Sequence, residues 1–216
     1  VEKGFPGSEG SSRQVIVEKV ILFDTEYTSW EGSLQRKWSE PWEHREIIQI
    51  AAVKLSIDED VVEEETYDCL VKPVVNPRLS DYFVQLTGIS QAVVEEKGSQ
   101  FPEAYQGFLA FCEHGALPAF SWGDDPAVIR ENCVLNGLPY KDFPRGFHDI
   151  RDVLETVGID TRPYSSGTVY QAVQAPFDLA SHNALNDVRS MEVALVTLNR
   201  AGRLPRGWSR TTKCFS

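Results

Sequence analysis

Residues 15–26 read VIVEKVILFDTE, and this stretch decides the fold. Its β-branched and aliphatic run predicts a strand, central at Val20–Phe23, that ends on the acids Asp24 and Glu26. Residues two apart in a strand share a face. Two carboxylates therefore project the same way from the end of a buried element, with Thr25 facing oppositely. Working outward, Arg45–Leu55 (REIIQIAAVKL) and Val61–Lys72 (VVEEETYDCLVK) predict two more strands, joined by the acidic turn Ser56–Asp60. Three strands in succession predict an antiparallel meander.

From Asn76 onward helical periods alternate with short strands. Phe101–His114 places Tyr105, Phe108, Leu109 and Cys112 on one helical face. Leu117–Trp122 predicts a short buried strand. A helix over Pro126–Leu135 follows, with an Asp cap and proline in its first turn. Phe147–Ile150 predicts another short strand. The last helix, Asn183–Ala201, repeats Leu185, Val188, Met191, Leu195 and Leu198 at three- and four-residue steps and stops at Gly202. Strands followed by alternating helix and strand predict an α/β fold, a mixed sheet with helices packed on it. No internal repeat interrupts it. The chain divides into an N-terminal arm at 1–14, one domain over 15–200 and a basic tail over 201–216.

The 216 residues are 42% hydrophobic and 25% charged, an ordinary globular composition rather than a disordered or membrane one. No apolar run approaches the roughly 20 residues of a membrane span. Cys69, Cys112, Cys133 and Cys214 lie far apart with no C-x-x-C pair, which predicts reduced thiols and a cytoplasmic location. The formal net charge of -11 argues at first against nucleic acid, whose binders usually carry a basic footprint. The acids are unevenly placed, however. Seven of them fall within Ile57–Asp68, and the stretch Arg200–Lys213 carries Arg200, Arg203, Arg206, Arg210 and Lys213 with no acid, which predicts phosphate contact, with a solvated end as the alternative.

Other acids sit where chemistry does. Asp124 and Asp125 follow the strand Leu117–Trp122, and helix capping accounts for one of them. Then SHNALNDV (181–188) places His182 and Asp187 around the start of the last helix. Each feature alone is weak, but their order is specific. The stretches FDTEYT, EIIQIAAVKL, VKPVVNPRLSDYFVQLTGIS, AFSWGDDPAVIRENC and SHNALNDV together resemble the DnaQ-like, or DEDDh, 3′-to-5′ exonucleases, nearest the Eri1-like and sporulation-inhibitor-like branch. The resemblance covers nearly all of residues 20–195.

That resemblance implies an RNase H-like five-stranded mixed sheet. It implies Asp24, Glu26, Asp125 and Asp187 as metal-binding carboxylates and His182 as general base. Asp124 competes with Asp125: anchoring on Cys133 selects Asp125, and anchoring on Trp122–Gly123 admits Asp124. Hard oxygen ligands suit two Mg²⁺ or Mn²⁺ ions, one side activating water and the other stabilising the departing 3′ oxygen. The implied substrate is single-stranded RNA or DNA with a free 3′ end, RNA slightly favoured, and the products are nucleoside 5′-monophosphates. Leu86, Thr87 and Ile89 would line the terminal nucleotide's pocket, beside Thr25 and Tyr27, with Gly88 either admitting the backbone or making a turn. Between the first two strands, Thr28–His44 is a long insertion with Trp30, Trp38, Trp42, Arg36 and Lys37. Trp38 is a candidate for base stacking, and loop packing is the alternative. A non-catalytic nucleic-acid-binding or scaffold protein on the same fold is the competing reading, and an RNase H-like endonuclease the third.

Overall fold

The computed structural model describes residues 18–210; the arm at 1–14, the strand start at 15–17, and Lys213 and Cys214 lie outside the described residues, as does the side chain of Arg210. β1 (Glu18–Tyr27) carries the opening stretch and pairs antiparallel with β2 (Ile47–Ile57), which pairs antiparallel with β3 (Val61–Lys72). The predicted meander is therefore present. β5 (Ala119–Ser121) lies parallel to β1, and β6 (Phe147–Asp149) parallel to β5. One strand exceeds the predicted five. β4 (Ser99–Gln100) is two residues long and pairs parallel with Val71 and Lys72 at the far edge. So brief an element leaves no period in the sequence. The sheet order is β4-β3-β2-β1-β5-β6, which places β1 near its centre.

Alternation along β1 splits the core in two. Ile21 and Phe23 face α4 (Phe101–Phe111) and α5 (Asp125–Leu135), where Phe23 meets Phe108 at 5.3 Å and Phe147 at 5.5 Å. Val20 and Leu22 face α7 (Ala184–Arg200) and α6 (Ile150–Thr156), packing with Val188, Met191, Leu195 and Val153. The predicted face of α4 is buried at Tyr105, Phe108, Leu109 and, just past its end, Cys112. Burying β-branched and aliphatic side chains on both faces makes β1 the least replaceable element, each such side chain contributing about 1.5–3 kcal/mol.

The insertion after β1 is a packed loop rather than a loose one. It contains a single helical turn, α1 (Ser33–Arg36), and is held by the buried Glu43, which accepts from Ser33 Oγ at 3.1 Å and pairs with Arg36. Glu46 anchors the next connection, accepting the backbone N–H groups of Val74, Val75 and Asn76 at 2.6, 2.7 and 2.5 Å. Two short helices follow, α2 (Asp81–Thr87) and α3 (Gln91–Lys97), capped by Ser80 and Ser90. Residues 201–209, the start of the basic tail, turn back onto the core. Trp208 is buried against Phe120 at 5.2 Å, and Arg203 donates to the Val157 carbonyl at 2.8 Å. Among the described residues the three cysteines are free thiols, and no helix is long and apolar enough to cross a membrane.

Candidate active site

The C-terminal end of β1 opens into a cavity of about 440 Å³. Because side chains alternate across the sheet, β1 delivers functional groups to both of its faces. Asp24 and Glu26 share the face of Val20 and Leu22, toward α7. Thr25 points to the opposite face, where α5 begins. Asp24, Glu26, Asp125, Asp187 and His182 all line this cavity.

Asp125 is the first residue of α5, followed by Pro126 in the first turn, where a missing N–H costs no helical bond. Its carboxylate is buried and accepts from Thr25 twice, from the backbone N–H at 3.0 Å and the hydroxyl at 2.6 Å. Asp124 has a different setting. Its side chain is 70% exposed and pairs with Arg45 at 3.1 Å. The two neighbouring acids thus differ in environment, one held inside and one turned outward.

Asp187 sits in the first turn of α7, whose N-cap Asn183 side chain accepts from the Asn186 N–H. The Asp187 carboxylate accepts from the His182 backbone N–H at 3.0 Å and from Ser166 Oγ at 3.2 Å. His182 is exposed and holds a left-handed backbone with φ of 64°, uncommon for a non-glycine residue. Ligand atoms of Glu26, His182 and Asp187 lie within 4.8 Å of one another. Gln49, buried on β2, ties the start of α7 to the sheet by accepting the Ala184 N–H at 3.0 Å.

Electrostatics follow from this crowding. Burial raises all four carboxyl groups, and their neighbours add to or oppose it. Asp24 is pushed well up by burial, then by Asp125, Asp187 and Glu26. Glu26 is pushed up to about 8 by burial and by Asp187 and Asp125. Asp125 rises to about 7 from burial, opposed by its bonds from Thr25. Asp187 rises to about 6, again from burial, opposed first by His182 and the Ser166 bond. Such a cluster favours protons or cations over four bare charges.

Of the substrate-contact candidates, Thr25, Tyr27, Leu86 and Trp38 line the cavity. Thr25 is committed to Asp125. Thr87 and Ile89 stand behind the wall. The Thr87 hydroxyl donates to the Phe83 carbonyl at 2.9 Å and accepts the Ile89 N–H at 3.0 Å, while the Ile89 side chain packs among Ile48, Leu79 and Phe83. Gly88 ends α2 in a left-handed conformation, φ 73°, with its N–H on the Val84 carbonyl, so the turn role is the one observed. Trp38 Nε1 donates to the Thr28 carbonyl at 3.0 Å, and its ring meets Tyr27 edge-on at 5.4 Å. Trp30, Tyr82 and Trp122 also line the cavity, whereas Trp42 does not.

Sequence reasoning missed Ser166 and Gly167, which begin a 3-10 turn over Ser166–Val173. Ser166 bonds Asp187 and holds down the Asp24 pKa through a further hydrogen bond. A Cβ on Gly167 would lie 2.4 Å from Asp187 Oδ1 and 2.7 Å from Ser181 Cβ. The Ser-Gly pair was the available signal, in a segment without helical or strand periodicity.

Comparisons with known proteins agree with the arrangement. A family model described as exonuclease, RNase T, matches residues 21–192. The chain is 37% identical over 205 residues to the 3′-5′ exonuclease Snipper of Drosophila melanogaster, covering 86% of this chain and 70% of that protein. It is 27% identical to 3′-5′ exoribonuclease 1 of Homo sapiens, over 61% of this chain but only 38% of the relative. The nuclease domain of the DEDDh member 3′hExo, solved bound to rAMP, superposes with a TM-score of 0.74 at 23% identity, covering 88% of this chain and 96% of that one. The central strand carrying paired acids, the cavity at its tip and these matches lead to one assignment: the chain belongs to the RNase T exonuclease family, as a 3′-5′ exonuclease.

Proposed function

We propose that the chain removes nucleotides from the 3′ end of single-stranded RNA, with Asp24, Glu26, Asp125 and Asp187 as metal ligands and His182 as general base. The observation that carries this reading is the convergence of four raised, buried carboxyl groups and one exposed imidazole in a single cavity. Asp125 rather than Asp124 completes the set, since Asp125 is aimed into the cavity by Thr25 and Asp124 is neutralised by Arg45. The donor set fits hard divalent cations such as Mg²⁺ or Mn²⁺: it is all carboxylate oxygen plus one imidazole, and four charges this close need counter-charge. When bound, two such ions supply an activated water and charge stabilisation for the leaving 3′ oxygen.

The chain's own residues do the rest. The Asp187 carboxylate holds the His182 backbone, which keeps the ring at the cavity mouth beside Glu26. A ring nitrogen of His182 takes the proton as water oxygen bonds to phosphorus and the bond to the 3′ oxygen breaks. Leu86, Tyr27 and Trp38 offer apolar and aromatic surface to the terminal nucleotide. The RNA preference rests on the human relative, an exoribonuclease by name, and on the ribonucleotide in the 3′hExo nuclease domain. The catalytic unit is assigned to residues 15–200.

The test uses 5′-labelled single-stranded RNA and DNA with Mn²⁺, Mg²⁺ or EDTA, beside Asp24→Ala and His182→Ala. A ladder shortening from the 3′ end, fastest on RNA and lost with either variant or EDTA, is the expected result. Tight binding without cleavage in any metal overturns the catalytic reading. Internal cuts in a circular substrate overturn the end-directed one.

A further inference from the structure

An exonuclease substrate does not end at its terminal nucleotide, so the strand on its 5′ side must leave the 440 Å³ cavity somewhere. Among the described residues, two neighbouring depressions share wall residues with it. The first, about 300 Å³, shares Trp122 and carries Asp149, Asp152 and Glu155 against Arg151 and Arg162. Both arginines there are already paired, Arg151 with Asp149 and Arg162 with Asp160, so its surplus charge is negative. The second is larger, about 870 Å³, and shares Tyr27, Leu34, Trp38 and Asp124.

This larger groove runs between the insertion and α5. Its acids are engaged: Glu43 is buried against Arg36, while Asp124 and Glu131 flank Arg45, which lies over the rings of Tyr27 and Trp38 at 5.8 and 6.0 Å. The groove's own lining balances three cations, Lys37, Arg45 and Arg130, against three carboxylates, Glu43, Asp124 and Glu131, in a chain of net charge -11, and Glu43 is further neutralised by Arg36. Lys37 and Arg130 are exposed and enter no ion pair among the described residues; Arg130 rests over the Tyr140 ring at 4.8 Å. The groove also holds Leu34 and Val134, 70% and 76% exposed, large aliphatic surfaces with no protein partner to justify them.

Resting on the exonuclease reading above, we infer that this groove is the track for the nucleotides 5′ of the terminal one. Bases lie against Leu34, Trp38 and Val134, and phosphates pass Lys37 and Arg130. Aromatic and apolar platforms interleaved with unpaired cations are what sequence-tolerant single-strand binding requires. The insertion thereby sets the preference for substrates longer than one or two nucleotides. The acidic depression beside Trp122 is left empty of strand.

The test compares a p-nitrophenyl ester of a nucleoside 5′-monophosphate, which needs the catalytic cavity alone, with a 12-nucleotide single strand. Val134→Glu and the pair Lys37→Glu with Arg130→Glu change only groove residues on the surface. Both variants are expected to lose at least tenfold in kcat/KM on the 12-mer, chiefly through KM, with ester hydrolysis within twofold of wild type. The double variant should also show a shallower dependence of 12-mer affinity on salt. Equal losses on both substrates, or no loss on the 12-mer, overturn the groove. Wild-type protein that hydrolyses neither substrate overturns the exonuclease reading instead; fluorescence anisotropy of the labelled 12-mer in Ca²⁺ then decides the groove alone, where unchanged affinity in both variants rejects it.

Discussion

Asp187→Asn should stabilise the metal-free protein while abolishing its activity, and the gain should appear only above a defined pH. In the fold Asp187 ionises at about 6, against an ordinary 3.8, because burial disfavours its charge. Between those values the folded chain holds more protons than the unfolded one. The contribution of this group to stability is therefore fully present below about pH 4 and is lost as pH rises through 6. The gap of about two powers of ten corresponds to about 3 kcal/mol above pH 6. Asparagine carries no charge to desolvate. Its carbonyl can still accept the His182 N–H, though a neutral acceptor gives back roughly 1 kcal/mol. The net gain of roughly 2 kcal/mol raises Tm by about 4–8 °C for a chain of this size. Thermal melts in EDTA at pH 4.5, 6 and 8 read this directly: the variant and wild type converge at the lowest pH and separate at the highest. Adding Mg²⁺ at pH 8 should raise the wild-type Tm and leave the variant nearly unmoved, since cation binding stabilises only the state that binds it. A variant less stable than wild type at pH 8 in EDTA, or a difference independent of pH, would refute the reasoning.

Thr25→Val removes the hydroxyl that holds Asp125 at 2.6 Å and leaves the backbone bond in place, so the Mg²⁺ concentration for half-maximal activity should rise about tenfold, Thr25→Ser restoring it. Gly167→Ala places a methyl group against Asp187 and Ser181; activity should fall at least about 100-fold with far-ultraviolet circular dichroism unchanged, because displacing catalytic groups by about 1 Å has that cost. Glu46→Gln keeps one acceptor where three backbone N–H groups converge on two carboxylate oxygens, and should lower Tm by roughly 5 °C in a melt at pH 7, matching a loss of about 1–3 kcal/mol.

Much of the site was legible because its chemistry contradicts the local pattern. Asp24 and Glu26 follow the apolar run Val20–Phe23 at the end of a buried strand, and strand periodicity alone puts them on one face. The amphipathic period of α7 marked where Asp187 begins that helix. Asp125 was harder, since capping explains an acid after any strand. Burial and the two hydrogen bonds donated by Thr25 separate it from Asp124 in space, and neither is written in the adjacent residues. The Thr25 contact links positions 100 residues apart, beyond the reach of any local period. Thr87 and Ile89 misled for the converse reason. The family resemblance implied that they share one wall with Leu86, but successive residues at a helix end point in different directions, and theirs turn away from the cavity. The Ser166–Gly167 contribution had only the Ser-Gly pair to mark it, because a 3-10 turn has no hydrophobic period to announce it.

The net charge of -11 illustrates the same distinction between composition and place. Of the seven acids of Ile57–Asp68, Asp68 lies level with Asp24, two strands away through Ala51, whereas Asp58, Glu59 and Asp60 form the β2–β3 turn beside Glu18, the opposite end of β1 from Asp24. Six residues of strand separate Glu18 from Asp24, roughly 20 Å at 3.3 Å per residue. That is more than twice the screening length of about 8 Å at physiological salt. Several of these acids are also paired locally, Glu64 with Lys19 and Glu65 with Lys54, while Asp68 accepts from Gln49. The acids of the turn therefore impose little field on a phosphate at the cavity. The acids that do face it, Asp24, Glu26, Asp125 and Asp187, all have pKa values raised by burial, so the metal-free cluster favours protons over four bare charges, and under the proposed function cations take that place. Acidity that looked like an argument against nucleic acid thus divides into a screened edge and a cation-demanding centre, and only the second bears on what the protein binds.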